Sequence, residues 1–199
     1  FFSLFTVFAQ PLDIGNRRQL FIDNKFIQYK SNVELRVHKP VKTGEINIPS
    51  DYLWELGGYN SVLEENGVYH MWYTASSSPP EQAVIAYARS TDGIRWERPF
   101  FHLTTDKNTP KPNNVVMGRG AGDVRGGTHG LMVFIDPNAP KNERFRLVAN
   151  RNEFSGMLQL FSSPDGIHWK HTYSNVATFD TTAGPHHLDS QNIIFWDTR

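Results

Sequence analysis

The sequence predicts an all-β fold assembled from a repeated unit. Three observations carry this reading. The motif S-x-D-G-I-x-W occurs twice, as Ser90-Thr91-Asp92-Gly93-Ile94-Arg95-Trp96 and as Ser163-Pro164-Asp165-Gly166-Ile167-His168-Trp169. Short runs rich in Val, Ile, Tyr, Phe and Trp alternate with turn signals built on Gly and Pro. Helical periodicity is scarce. A turn and a tryptophan that recur together mean that one β unit recurs.

Taken in order, Phe1 to Gln10 reads as the end of a secretory signal peptide. Its apolar stretch is followed by Val7 and Ala9 at the small-residue cleavage positions; the alternative is an apolar first strand. Leu20 to Ile27 has two strand halves around an Asp-Asn-Lys turn, Val33 to His38 alternates like a strand, and 39–57 reads as a long loop. The first full unit has strands at Tyr59–Leu63, Val68–Ala75 and Ala83–Ser90, with a fourth near Trp96. Asn66-Gly67 supplies the positive φ angles of a tight hairpin. The second unit repeats the order with Gly130–Ile135, Phe145–Ala149 and Met157–Ser162, and a third opens at Asp189. The run Ser190–Asp197 starts a strand, and the chain stops where its turn is expected, as in a piece of a longer protein.

Asp92 and Asp165 are read as turn residues whose carboxylates bond backbone amides, with Gly93 and Gly166 in the left-handed conformation. Trp96 and Trp169 pack between strands or neighbouring units. Four-stranded antiparallel units in tandem are the pattern of β-propeller blades. A closed ring removes the outer edges that a lone sheet exposes. The expected domain is a partial propeller over 11–199, about its first three blades, behind a signal remnant at 1–10.

The chain has 20 basic and 20 acidic residues and no net charge. That leaves no electrostatic footprint for nucleic acid or an anionic membrane; a polyhydroxylated ligand fits better. Aromatic residues make up 13% of the chain, enough for a β core or for stacking on sugar rings. With no cysteine there is no disulfide or thiolate metal site.

The runs Y-x-M-W-Y-T at 69–74, I-A-Y-A-R-S-T-D-G-I-R-W at 85–96 and S-S-P-D-G-I-H-W at 162–169 resemble the five-bladed propeller glycoside hydrolases. These are the invertase, levansucrase and arabinanase superfamily, families 32, 43 and 68, and the likeness is to secreted bacterial members. It runs from about Leu20 to the end. The Asp-Gly spacing departs from the Asp-box of sialidase-type propellers, which has one more residue between Asp and Gly. The resemblance implies a secreted or periplasmic bacterial glycosidase, monomeric, acting on a carbohydrate.

In a propeller the first strand of each blade lines the channel, and side chains at successive openings converge. Three acidic residues precede or open first strands: Glu55, Asp123 and Asp189. Glycosidic cleavage needs one carboxylic acid to protonate the leaving oxygen and a second carboxylate to activate water or attack carbon. A third can hold the acid's pKa up by like-charge repulsion. Asp189, directly at a strand opening, is the lead candidate for base or nucleophile; the alternative is a turn aspartate bonding the Gln191 or Asn192 amide. For Glu55 and Asp123 the alternatives are loop charges or salt bridges. The superfamily's order is Asp, Asp, Glu, whereas this chain offers Glu, Asp, Asp. The N-D-P-N-G and R-D-P patterns of the invertase branch are absent, so roles do not transfer residue by residue.

Trp54 and Tyr59 flank Glu55 and offer flat faces for a sugar ring, or else belong to the core. Arg125 can orient Asp123 or bind a substrate carboxylate. His129 and His187 fall near the same rim, able to bond a sugar hydroxyl, tune a carboxylate or hold a metal-bound water, or to be ordinary loop histidines. His186 and His187 are adjacent, and neighbours on a strand point to opposite faces, so at most one of them faces the channel. No zinc-type spacing occurs and no cofactor is expected, while a structural calcium ion in the channel stays open. Beside the glycosidase stand two other readings: a non-catalytic carbohydrate-binding propeller and a structural or protein-interaction propeller.

Overall fold

The chain divides into two compact units, 1–44 and 45–199. The computed structural model describes residues 13–16, 19–45, 48, 55–77, 82–104, 112–118, 121–122, 128–151, 157–178 and 191–196.

The described residues of the first unit form turns and extended segments without a strand. The predicted turn is present: Asp23 accepts the Lys25 amide at 2.8 Å, and the Ile27 amide donates to the Asn24 carbonyl at 3.0 Å. The strands expected at Leu20–Ile27 and Val33–His38 do not form. Val37 is 98% exposed. Alternation supplies a face but no partner, and an isolated strand leaves its backbone groups to water.

The second unit is all-β, with two four-stranded antiparallel sheets and no α-helix among the described residues. The first sheet holds β1 (Glu55–Glu65), β2 (Val68–Ser77), β3 (Gln82–Ser90) and β4 (Val115–Met117), in that order. The second holds β5 (Thr128–Ile135), β6 (Phe145–Arg151), β7 (Met157–Ser163) and β8 (Lys170–Thr178). Asn66 and Gly67 have φ of 54° and 80°, the mirror-image turn that the β1–β2 hairpin requires.

Three expectations are corrected. β1 starts at Glu55, so that residue opens the strand rather than preceding it. The fourth strand is Val115–Met117; near Trp96 only a single bridge forms, Arg89 to Glu97. Pro99 follows closely, lacks an N–H and restricts Arg98, which ends the pairing. Residues 191–196 form no ladder, although the Asn192 amide donates to the Gly130 carbonyl at 3.1 Å.

Register aligns the two sheets. Glu64, Tyr69 and Ser90 lie in one row, and Ile135, Phe145 and Ser163 in the matching row. β2 alternates between two apolar faces, because the side chains of a strand point alternately to either side. Trp72 turns toward the second sheet, with Ile85 and Tyr87 of β3, and meets Leu131, Val133, Phe145, Leu147 and Phe161 in one buried cluster. Met71, Tyr73, Val84, Ala86 and Ala88 turn the other way into a second cluster.

The motif turn is built the same way twice. Ser163 Oγ accepts the Gly166 amide at 2.9 Å, and Asp165 Oδ1 accepts the Ile167 and His168 amides at 2.9 and 2.8 Å. Ser90 and Asp92 repeat this with Gly93, Ile94 and Arg95. Burial opposes the charged form of Asp165. The His168 amide and ring and the Ile167 amide outweigh it and hold its carboxyl at about 2. The Arg95 and Ile94 amides likewise hold Asp92 at about 2. Gly166, at φ 76°, presents its carbonyl to Trp72 Nε1–H at 2.6 Å. A Cβ on Gly166 would lie 2.5 Å from Trp72 Cζ2; on Gly93, at φ 73°, its closest contact would be Tyr69 Cε2 at 3.9 Å.

Two tests follow from the turns. Gly93→Ala bears only the left-handed penalty, about 1–2 kcal/mol. Gly166→Ala adds a clash with a packed indole, typically a further 1–3 kcal/mol or so. Urea midpoints should therefore fall further for Gly166→Ala, and equal losses would contradict the packing described. Both aspartates have depressed pKa values, so the stability they confer is complete above their ordinary value near 3.8 and is lost as pH falls through about 2. The urea midpoint should drop across that interval, and less steeply in Asp165→Asn.

Candidate functional site

The two sheets meet along their first strands. Ser61 of β1 is buried, and its hydroxyl accepts the Val133 amide of β5 at 3.0 Å and donates to the Val133 carbonyl at 3.1 Å. Segment 191–196 joins the same line. The Gln191 side-chain amide donates to the Asn60 carbonyl of β1 at 2.9 Å and to the Leu131 carbonyl of β5 at 3.3 Å. β1, β5 and the segment 191–196 are thus tied at one locus by groups far apart in sequence.

Both first strands bend at the same register. Tyr59 lies five residues before Glu64, and Gly130 five before Ile135; their φ angles are 69° and 65°. Each falls where strand pairing shifts, between Leu56 and Asn60 and between His129 and Met132. Such bulges re-aim the strand that carries them. Tyrosine in this conformation costs about 1–2 kcal/mol that glycine avoids. The backbone therefore carries strain at the opening end of β1.

That end is also polar inside. Thr74, Thr128, Asn150 and Gln159 are buried, and each has a side-chain oxygen without a hydrogen-bond partner among the described residues. Register puts Thr74 with Trp72 on the face toward the second sheet, and Gln159 with Ala149 on the face toward the first. Buried hydroxyls and amides in such positions call for water or another polar group.

The shifted titratable groups gather at the opposite, hairpin end. Glu65 pairs with Arg144, with Oε2 to Nη2 at 2.7 Å, and that hydrogen bond holds the Glu65 carboxyl down and the Arg144 guanidinium up. Burial pushes His70 down and the Tyr87 hydroxyl up, and the two share a hydrogen bond between Nδ1 and the hydroxyl oxygen at 2.6 Å. These pairs are structural. Among the described residues no group of three His, Asp or Glu side chains is placed to hold a metal ion, and no helix is long and apolar enough to cross a membrane.

Of the residues singled out from sequence, Trp54, Asp123, Arg125, His187 and Asp189 lie outside the described residues. Glu55 and His129 are described by backbone alone, Glu55 paired with Ser76 and His129 with Asn150, each at the opening of a first strand. Tyr59 is half-buried at the β1 bulge. The Asn192 amide, one of the partners considered for Asp189, is committed to Gly130. Sequence reasoning missed Ser61 and Gln191. The available signal was faint: a serine at a core-facing strand position and an amide in the run before Ile193.

No protein-family model matches the chain. No curated protein matches it either. Among solved structures it is similar to a protein of Parabacteroides distasonis assigned to the glycoside hydrolases, at 20% identity and a TM-score of 0.41, over 60% of this chain and 33% of that one. A second is a structure from the GH130 family of mannoside phosphorylases, described with glycoside hydrolases that target β-1,2 mannosidic linkages in Candida mannan. It matches at 16% identity and a TM-score of 0.42, over 68% and 38% of the two chains. A third is an N-acetylgalactosamine deacetylase from F. plautii in complex with blood group B trisaccharide, at 19% identity, a TM-score of 0.38, and 68% and 37% coverage. The chain spans 33% to 38% of the length of these structures.

Ser61→Ala leaves the Val133 amide and carbonyl without their partner and should cost about 1–3 kcal/mol. Hydrogen exchange checks the locus: protection should fall at Val133 first, ahead of the β2–β3 ladder.

Proposed function

We propose that the chain belongs to a secreted, monomeric glycoside hydrolase of the five-bladed propeller type, its sheets forming consecutive blades. Asp189 acts as base or nucleophile, and Glu55 and Asp123 supply the acid and the group that tunes it. Trp54, Tyr59, Arg125, His129 and His187 contact the sugar. The observation that carries the reading is the Gln191 amide on the Asn60 and Leu131 carbonyls. It brings β1, β5 and the segment 191–196 to one line, an arrangement that would let carboxylates distant in sequence share one ligand. Glu55 at the first residue of β1 and the buried polar side chains at that end support it.

The chemistry is displacement at the anomeric carbon. One carboxylic acid gives its proton to the leaving oxygen, and a carboxylate on the other face takes a proton from water or attacks the carbon. Carboxyl separations of about 5–5.5 Å would retain the anomeric configuration, and about 6.5–9.5 Å would invert it.

The test is a screen of the full-length protein against plant and algal glycans, followed by Asp189→Asn, Asp123→Asn and Glu55→Gln. Loss of general acid or base should lower sugar release roughly a hundred- to ten-thousand-fold while calorimetric binding persists. Binding without cleavage by the unaltered protein would replace the enzyme with a carbohydrate-binding propeller. Neither binding nor cleavage would leave an interaction scaffold.

A further inference from the structure

The structural pairs at the hairpin end close over the Trp72 junction and make it responsive to acid. His70 stands two residues before Trp72 in β2, so both side chains face the second sheet. Their rings lie 6.1 Å apart and 22° from parallel. Tyr87 of β3 completes the set. It is 3% exposed, its ring meets Trp72 edge-on at 5.7 Å, and its hydroxyl lies 2.6 Å from His70 Nδ1. The indole that joins the sheets is thus flanked on its hairpin side by a half-buried histidine whose Nδ1 is committed to a buried phenol.

Charges reach this histidine from each neighbouring element. Arg144, just before β6, binds Glu65 of β1 through both carboxylate oxygens, donates to the Pro164 carbonyl at 3.3 Å, and lies 4.3 Å from the Phe145 ring centre. Glu65 and Arg144 therefore strap the first sheet to the second across the same junction. Arg89 of β3 is held by Glu97 at 2.9 Å, and the Asp165 carboxylate of the motif turn adds its field at Tyr87 and Arg144. Burial opposes a charge on His70 most, and Arg144 and Arg89 oppose it too; Glu65 favours it, but both Glu65 oxygens are engaged. A neutral imidazole shares the Tyr87 hydrogen bond in either direction. An imidazolium can only donate, which leaves the proton of a buried hydroxyl to find another acceptor. It also competes with Arg144 for Glu65.

We propose that His70 is an acid-sensitive latch between the two sheets: when its ring takes a proton, the Tyr87 bond and the Glu65–Arg144 strap loosen and Trp72 leaves Gly166, while each sheet keeps its own ladders. The sign follows from the environment. A histidine held below its ordinary value of 6.5 stays neutral in the closed junction and takes its proton when the junction opens. The stability it confers is complete above 6.5 and is lost as pH falls below that value. The carboxylates act lower, since Glu65 is held below 4.5 and Asp92 and Asp165 at about 2.

The test is hydrogen exchange at Trp72 Nε1–H in the full chain, with the His70 ring signals followed by NMR over the same pH series. One proton changes an opening constant by at most tenfold per pH unit, so the indole protection factor should fall roughly three- to tenfold per unit below 6.5. The Leu147 and Val148 amides of the β6–β7 ladder should hold theirs. His70→Asn keeps a side chain able to bond Tyr87 but unable to titrate, and should hold the indole protected throughout; it also separates His70 from His168 and His171. Glu65→Gln removes the one favourable charge and frees Arg144, so the His70 midpoint and the loss of indole protection should move together to lower pH. Indole protection that changes without the His70 midpoint would overturn the proposal, and this arm decides should His70→Asn fail to fold. So would a His70 midpoint at or above 6.5, an unchanged acid response in His70→Asn, or a parallel loss at Leu147 and Val148, which would make the response one of the whole unit.

Discussion

The second unit is organised by one contact, the Trp72 indole beneath the Gly166 turn. Burying an indole removes roughly 200 Å² from water, about 5 kcal/mol at the usual surface coefficient. Its N–H···O bond contributes about 1 kcal/mol net. Packing therefore supplies the energy, and the hydrogen bond supplies the register. Both depend on a turn that only glycine closes at this distance, since a Cβ on Gly166 would enter the Trp72 ring. The turn in turn depends on Ser163, which occupies the buried Gly166 amide, and on Asp165, which accepts the exposed Ile167 and His168 amides. In its second copy, Ser163 to Trp169, the S-x-D-G-I-x-W motif thus joins the two sheets: hydroxyl, carboxylate, glycine and tryptophan each serve the same junction.

This explains what was legible in the sequence. The repeated motif, the Asn66-Gly67 hairpin and the strands β2, β3 and β5 to β7 are local patterns, written in residues within a few positions of one another. β4 was not legible, because Val115–Met117 is three residues long and joins β3 after an interval of more than twenty residues. The run Val33–His38 shows the converse. Its alternation is as regular as that of a strand, yet Val37 is almost wholly exposed, because alternation carries no information about whether a partner strand exists.

The candidate site divides along the same line. Glu55, Asp123 and Asp189 were chosen by their place before or at first strands, a local criterion. What draws those strands together is not local. Ser61 reaches across 72 positions to Val133, and Gln191 across 131 to Asn60. A serine or glutamine gives no sign in sequence of which distant carbonyl it will find. Topology decides that, and the topology came from the repeat rather than from the site.

Strain adds a last physical constraint. Gly130 and Tyr59 hold equivalent backbone conformations, but only one of them is a residue that adopts it freely. If the bend at the opening of a first strand served packing alone, glycine at both would be the lower-energy choice. A tyrosine retained there exchanges backbone stability for a half-buried ring placed four residues from Glu55. Such outliers persist where the surroundings over-determine them. Here the surroundings are the Ser61 tie on one side and the Gln191 bridge at Asn60 on the other, which together fix the strand immediately after the bend. Among the described residues the hairpin end, where the ion pairs lie, has no comparable strained residue: its positive-φ positions are Asn66, Gly67, Gly93 and Gly166, all suited to turns. Among the described residues, strain and buried unpaired oxygens therefore collect at one end of the sheets and charge pairing at the other.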